Sequence, residues 1–252
     1  MKNIAILLAG GTGTRLGAGI PKQFIQINGK PILAYTVDLF QKNKNIDCIE
    51  IVCHNEWLEH VKFMVSEYGF SKVNWIVPGG DTFEESTLNG IFNLSGKISD
   101  NDIVVISFGV APMTTAEEIN DSIKIAKKHG NGISATPMDL LLCNTDDGIS
   151  SIDYLDRDKI KGFSNPWSFK YGELCRVYEE AKKKNLIGKV EPHITSLYFA
   201  LGKRIWLSRG NRQDVKITYK EDLDIFEGYL LLQEKRGIKP WLHIKNLKLL
   251  GH

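Results

Sequence analysis

The sequence predicts a doubly wound α/β fold: a mostly parallel sheet covered on both faces by helices, with a β-arm protruding from it. Three observations predict it. Short apolar runs alternate with segments of helical spacing through the first 130 residues. Those runs are continuously apolar rather than alternating, as in strands buried on both faces. An irregular, turn-rich stretch then interrupts the pattern between residues 140 and 167. A chain of 252 residues with 42% hydrophobic content can bury one large core, and no linker, repeat or low-complexity segment divides it, so residues 1–252 read as one domain.

The elements follow in order. Residues 4–8 are a first buried strand and 32–40 a first helix; 48–53 is apolar and β-branched, hence a strand, followed by a helix over 58–68. A strand over 73–77 leads into a helix over 84–94, and a strand over 103–106 into a helix over 116–128. In residues 140–167, Asn144-Thr-Asp-Asp-Gly148 is a turn signal between two apolar runs and predicts a β-hairpin arm, by itself no more than a surface hairpin. Helical spacing returns over 172–184. The tail repeats strand then helix, with extended runs at 205–207 and 215–218 and a last helix over 221–235, for which Thr218 and Glu221 have the spacing of a capping box.

Charge and cysteine content narrow the functional classes. With 32 basic and 30 acidic residues the formal net charge is +2, and no field implies a nucleic-acid or membrane partner; Lys182, Lys183 and Lys184 read as a solvated helix face. Cys48, Cys53, Cys143 and Cys175 lack C-x-x-C spacing, which fits a reducing, cytoplasmic setting. The N-terminal apolar stretch is too short to span a membrane and runs directly into a glycine-rich turn, so it reads as a strand rather than a signal peptide.

That turn carries the main chemical signal: Leu7-Leu-Ala9-Gly10-Gly11-Thr12-Gly13-Thr-Arg15, followed by Pro21-Lys22-Gln23. Without a Cβ, glycine lets backbone N–H groups approach an anion closely, so Ala9, Gly10, Gly11, Thr12 and Gly13 form a candidate phosphate cradle. Arg15 offers a planar fork and Lys22 a compact charge, the residue types suited to charge that builds up in phosphoryl or nucleotidyl transfer. A plainer reading is a strand-to-helix turn with an incidental surface ion pair. Rival motifs fail: a dinucleotide fingerprint counted from Gly11 and Gly13 meets Leu16 at its third position, and no Gly-Lys-Ser/Thr occurs.

The arrangement resembles the sugar-phosphate nucleotidyltransferases, and Pro21-Lys22-Gln23 narrows it to the cytidylyltransferases acting on methylerythritol 4-phosphate and ribitol 5-phosphate. The resemblance implies a Rossmann-like sheet of the nucleotide-diphospho-sugar transferase type, CTP and a phosphorylated small-molecule acceptor as substrates, and a homodimer made through the arm. It implies catalytic roles for Arg15 and Lys22. Val77-Pro-Gly79-Gly80-Asp81-Thr-Phe83-Glu-Glu-Ser86 looks like the family's Gly-Gly-x-x-Arg-x-x-Ser, so Gly80, Asp81 and Ser86 would hold cytosine, although a serine there could equally cap the helix. Asp214-Val-Lys216-Ile-Thr218 resembles Asn-Ile-Lys-Ile-Thr, assigning Lys216 and Thr218 to the substrate phosphates; alternation in an extended run turns Lys216 away from Val215 and Ile217. Asp156 and Arg157 match a pair whose arginine binds the acceptor phosphate, with an ordinary hairpin salt bridge as the alternative.

The resemblance breaks after the fourth strand. Relatives place a magnesium-binding aspartate where this chain has Phe108, within Ser107-Phe108-Gly109-Val110-Ala111-Pro112, and the arginine of the base loop is Phe83. The metal site is thus unassigned: Mg2+ could arrive on the triphosphate, with Asp102, or Gln213 and Asp214, as outer contacts. Leu140, Leu141 and His193 stand where relatives recognise the polyol, which implies an acceptor other than methylerythritol phosphate and a polysaccharide-precursor pathway. The expectation is a CMP transfer from CTP that releases pyrophosphate and yields a CDP-activated precursor. The alternatives are a catalytically impaired nucleotide-binding subunit of the same fold, or an enzyme using another nucleoside triphosphate.

Overall fold

The computed structural model describes residues 1–11 and 19–238. Strand β1 (Asn3–Ala9) is followed, beyond a 3-10 turn at Lys22–Phe24, by the two-residue strands β2 (Gln26–Ile27) and β3 (Lys30–Pro31), then by α1 (Ile32–Lys42). Strand β4 (Cys48–Cys53), α2 (Leu58–Glu67), β5 (Val73–Pro78), α3 (Phe83–Asn93), β6 (Ile103–Phe108), α4 (Ala116–His129) and β7 (Asn131–Pro137) continue the alternation. The ribbon β8 (Leu142–Cys143) and β9 (Tyr154–Leu155) precedes β10 (Lys161–Lys170), α5 (Tyr171–Lys183), α6 (Ile194–Ala200), β11 (Leu207–Arg209) and α7 (Lys220–Lys235).

Seven strands make the main sheet in the order β11-β7-β10-β6-β1-β4-β5, with β10 antiparallel to both neighbours. β1 lies between β6 and β4, parallel to both. Its side chains explain the double winding. Ala5, Leu7 and Ala9 face a core that includes Leu33, Val37 and Phe40 of α1 and Ile119 and Ile123 of α4. Ile4, Ile6 and Leu8 face the other side, against Ile91 of α3, Leu174 of α5 and Tyr198 of α6. A third cluster joins Ile32, Tyr35, Val110 and Met113 to Ile217 and to Phe226 and Leu230 of α7, so the tail of the chain closes over the end of β6. Among the described residues no helix is long and apolar enough to cross a membrane.

The first eight predicted elements stand within a few residues of their expected bounds, and five features differ. Strands β7 and β10 and helix α6 were not expected. β10 contains Pro166, which argues against an interior strand, and its ladder with β7 shifts register between Phe163 and Trp167, around that proline. The 205–207 strand is displaced to Leu207–Arg209. The 215–218 run forms no strand and joins no sheet. The last helix is not started by Thr218 and Glu221: Asp222 accepts the N–H groups of Thr218 (2.7 Å) and Tyr219 (2.8 Å). The arm ribbon is two residues per side, and Asp147 organises its turn by accepting the N–H groups of Ile149 and Ser150, both at 2.8 Å, with Gly148 at φ +70°.

Candidate active site

A cleft of about 320 Å³ opens where β1, β5 and β6 end, the edge of a doubly wound sheet at which ligands gather. Five separate stretches of chain line it: residues 8–11, Lys22 with Gln23, residues 80–83 with Ser86, Phe108 with Val110, and Lys216 with Thr218. Thus Ala9, Gly10, Gly11, Lys22, Gly80, Asp81, Ser86, Lys216 and Thr218 line one cleft. Thr12, Gly13 and Arg15 lie outside the described residues.

The Pro-Lys-Gln string is held from below. Phe24 is buried and stacks on Trp57 at 4.6 Å. From that anchor Gln23 donates its Nε2 to the carbonyl of Ala9 (2.7 Å), tying the string to the glycine turn, and Lys22 donates its Nζ to the carbonyl of Ile217 (2.7 Å), tying it to the tail. The structural role of Gln23 had no signal in the sequence beyond its place in the string. Ile217 also donates its N–H to Val110 (2.9 Å) and buries its side chain completely. Lys216, the residue before Ile217, lines the cleft.

The base-loop segment is a turn only glycine can make. Gly79 donates to Cys53 (2.7 Å), and a Cβ there would lie 2.7 Å from Ser86 Oγ, while one on Gly80 would collide with Cβ of Glu85. Ser86 is not the helix cap. Thr82 caps α3, accepting from the N–H of Glu85 (3.1 Å) while Glu85 accepts from the N–H of Thr82 (3.0 Å). With the cap placed four residues earlier, Ser86 Oγ accepts the Gly80 N–H (3.1 Å) and lies 3.3 Å from the Gly80 carbonyl, which fixes the turn from inside the cleft.

Phe83 and Phe108, the two apolar replacements, pack together with ring centroids 5.8 Å apart, and the edge of Trp167 meets Phe108 at 5.1 Å. Lys216 Nζ sits over the Phe108 ring, 3.6 Å from its centroid. His193 is set on Trp167 at 4.2 Å, and burial first and the Lys216 charge second push its pKa down to about 4, so it is neutral at ordinary pH. Beneath Phe108 runs a polar network that sequence reasoning missed. Asn165 accepts the Phe108 N–H (3.2 Å) and donates to Ser107 (2.8 Å) and Thr114 (3.0 Å). Asp214 accepts the Asn165 N–H (3.1 Å) and lies 2.9 Å from the Thr114 hydroxyl; burial, then the charge of Glu118, raises its pKa to about 7.

These surroundings do not fit a protein-held magnesium ion at the end of β6. A phenyl ring under an ammonium group supplies no oxygen ligand. Asp102 is overturned as a substitute: it stands at the start of β6, where it accepts the N–H groups of Lys2 (2.6 Å) and Ser99 (2.8 Å). Asp214 is committed to the network just described, and neither it nor Gln213 lines the cleft. Among the described residues no group of three His, Cys, Asp or Glu side chains is placed to hold a metal.

Arg157 does not reach the cleft within one chain. It lies in the exposed arm and donates to the carbonyl of Asp139 (3.2 Å); the alternative reading, a salt bridge to Asp156, is not seen among the described residues, where Asp156 pairs with Lys159 (3.1 Å). Leu140 and Leu141 are likewise exposed in the arm.

Comparison with known proteins gives matches over most of the chain. The family model IspD, described as 2-C-methyl-D-erythritol 4-phosphate cytidylyltransferase, matches residues 3–231. A ribitol-5-phosphate cytidylyltransferase of Lacticaseibacillus paracasei is 33% identical over 231 residues, 91% of this chain and 98% of the relative. A 2-C-methyl-D-erythritol 4-phosphate cytidylyltransferase of Clostridium novyi is 34% identical over 231 residues, 91% and 96% of the two chains. In three dimensions, the 4-diphosphocytidyl-2C-methyl-D-erythritol synthase of Anaerococcus prevotii aligns with a TM-score of 0.75 at 23% identity, covering 91% of this chain and 98% of that one, which bears on the fold.

Proposed function

The chain belongs to the 2-C-methyl-D-erythritol 4-phosphate cytidylyltransferase family and is a cytidylyltransferase acting on polyol phosphates; from that premise we propose which residues perform the transfer and which acceptor it takes. An acceptor phosphate oxygen attacks the α-phosphorus of CTP, the new P–O bond forms as the bridge to the β-phosphate breaks, and pyrophosphate leaves with its electron pair. Such a transfer asks the protein for position and positive charge rather than for a nucleophile. The convergence of Lys22, Lys216 and the Gly10–Gly11 backbone on one cleft is the observation that carries this assignment. Lys22 and Lys216 neutralise the phosphates, Arg15 joins them, and the amides of Ala9, Gly10, Gly11, Thr12 and Gly13 cradle the triphosphate. Gly80, Asp81 and Ser86 read the cytosine edge, and Thr218 adds a hydroxyl beside Lys216. Any magnesium that enters is carried by the nucleotide rather than held by the protein.

The acceptor is an unbranched polyol phosphate of the ribitol 5-phosphate class, and the product a polysaccharide precursor. Supporting this, relatives 33% and 31% identical over 91% and 92% of the chain are ribitol-5-phosphate cytidylyltransferases. The enzyme works as a homodimer in which Arg157 of the arm binds the acceptor phosphate of the other copy. The exposure of Leu140, Leu141, Ile149, Ile152 and Tyr154 on the arm supports that pairing. Four free thiols support a cytoplasmic setting. Pyrophosphate release from CTP with ribitol 5-phosphate, methylerythritol 4-phosphate and glycerol 3-phosphate tests the reading. Turnover is expected to be fastest with ribitol 5-phosphate; a preference for methylerythritol 4-phosphate refutes the acceptor, and no turnover with any of them refutes the reading as a whole.

A further inference from the structure

A divalent ion shared between a protein and a triphosphate needs oxygen ligands on the protein side. At the end of β6 this cleft presents a cation instead. Lys216 Nζ lies 3.6 Å from the centroid of Phe108, well within the roughly 6 Å over which a ring face attracts an ammonium group. Both partners are held from outside the pair. Phe108 is fixed by the Trp167 edge, by the Phe83 ring and by its N–H on Asn165, while Lys216 precedes a residue whose side chain is wholly buried and whose carbonyl accepts from Lys22. The charge of Lys216 is therefore delivered to a set place, on the same cleft as Gly10, Gly11 and Lys22. Among the described lining residues the one carboxylate is Asp81, on the base loop rather than at the end of β6. A dication brought beside Lys216 would meet repulsion and, among the described residues lining the end of β6, no carboxylate.

Resting on the reading that this cleft binds CTP, we propose that Lys216 seated on Phe108 takes the place of a protein-held divalent cation, so that the ammonium group meets the nucleotide phosphates directly and CTP binds without magnesium. Phe108 is in this scheme a positioning residue: it touches no reacting atom and acts by setting where the Lys216 charge lies.

Calorimetric titration of CTP into the full chain, in EDTA and in excess magnesium, tests this. The dissociation constant is expected to agree within about three-fold between the two conditions. Phe108→Leu should weaken metal-free binding about three- to ten-fold, Phe108→Tyr should restore it by returning the ring face, and Lys216→Met should weaken it at least ten-fold. Binding that is ten-fold or more tighter with magnesium overturns the proposal and leaves the cytidylyltransferase reading intact. Absence of CTP binding in both conditions overturns the two together. A Phe108→Leu chain that binds like the original in EDTA removes the role of the ring, and the comparison of the unaltered chain in the two buffers decides the main claim even where a variant does not fold.

Discussion

Replacing Lys22 by methionine separates the two things this side chain does. Its Nζ donates to the carbonyl of Ile217 at 2.7 Å from a position only 9% exposed, and it lines the cleft. A hydrogen bond from a charged donor contributes about 1.5–3 kcal/mol. Methionine loses that bond but also relieves the cost of burying an ammonium group, and a buried ion replaced by an apolar side chain of similar volume is often nearly neutral. The net loss of stability should stay below about 2 kcal/mol, or roughly 8 °C in Tm at the ~2–4 °C per kcal/mol of a chain this size. The rate should respond far more. Removing one preorganised donor to developing phosphate charge costs about 100- to 1000-fold in kcat, or about 2.7–4 kcal/mol. Thermal melting and pyrophosphate release measured on the same preparation check both numbers. A variant that melts several degrees lower yet turns over within three-fold of the original would refute the reasoning, reducing Lys22 to a strap between the Pro-Lys-Gln string and the tail.

Three other outcomes are expected. Ser86→Ala removes the hydroxyl that bridges the Gly80 N–H and carbonyl, and should raise KM for CTP about three- to ten-fold, the worth of one neutral hydrogen bond; steady-state kinetics with an unchanged KM would exclude Ser86 from base recognition. Asp214 titrates near 3.8 when unfolded and near 7 in place, so folding takes up a proton between these values and stability falls as pH rises through that window. The full shift would be ~4 kcal/mol, and partial solvent access at this half-buried site reduces it. Asp214→Asn should therefore gain about 2 kcal/mol on the original chain between pH 4 and pH 8 in denaturant titrations, and a pH-independent difference would overturn the assignment. Ile152→Asp with Leu141→Asp should convert a dimer into a monomer in sedimentation without lowering Tm, because both side chains are exposed within one chain; an unchanged sedimentation coefficient would take the arm out of assembly.

The amino-acid sequence by itself determined the first eight elements, the glycine turn and the Pro-Lys-Gln string. Continuous apolar strands and glycines without Cβ are local signals, readable wherever they occur. Strands β7 and β10 escaped because they bury polar atoms in pairs, Ser122 with Ser168 at 2.7 Å and Ser134 with Ser208 at 3.4 Å, and each hydroxyl is tolerable inside only because its partner arrives from a distant segment. The same reason governs the site. That Ser86 organises a turn rather than capping a helix depends on Thr82 and Glu85 closing the cap first. That Lys22 meets Ile217, 195 positions away, and that Lys216 lies on Phe108, were decided only when α7 and the tail packed over the end of β6. Composition and spacing name the charges a chain has to offer; where those charges stand is settled by the burial of Ile217, Phe226 and Leu230, apolar groups whose partners are contributed by α1 and the loop after β6.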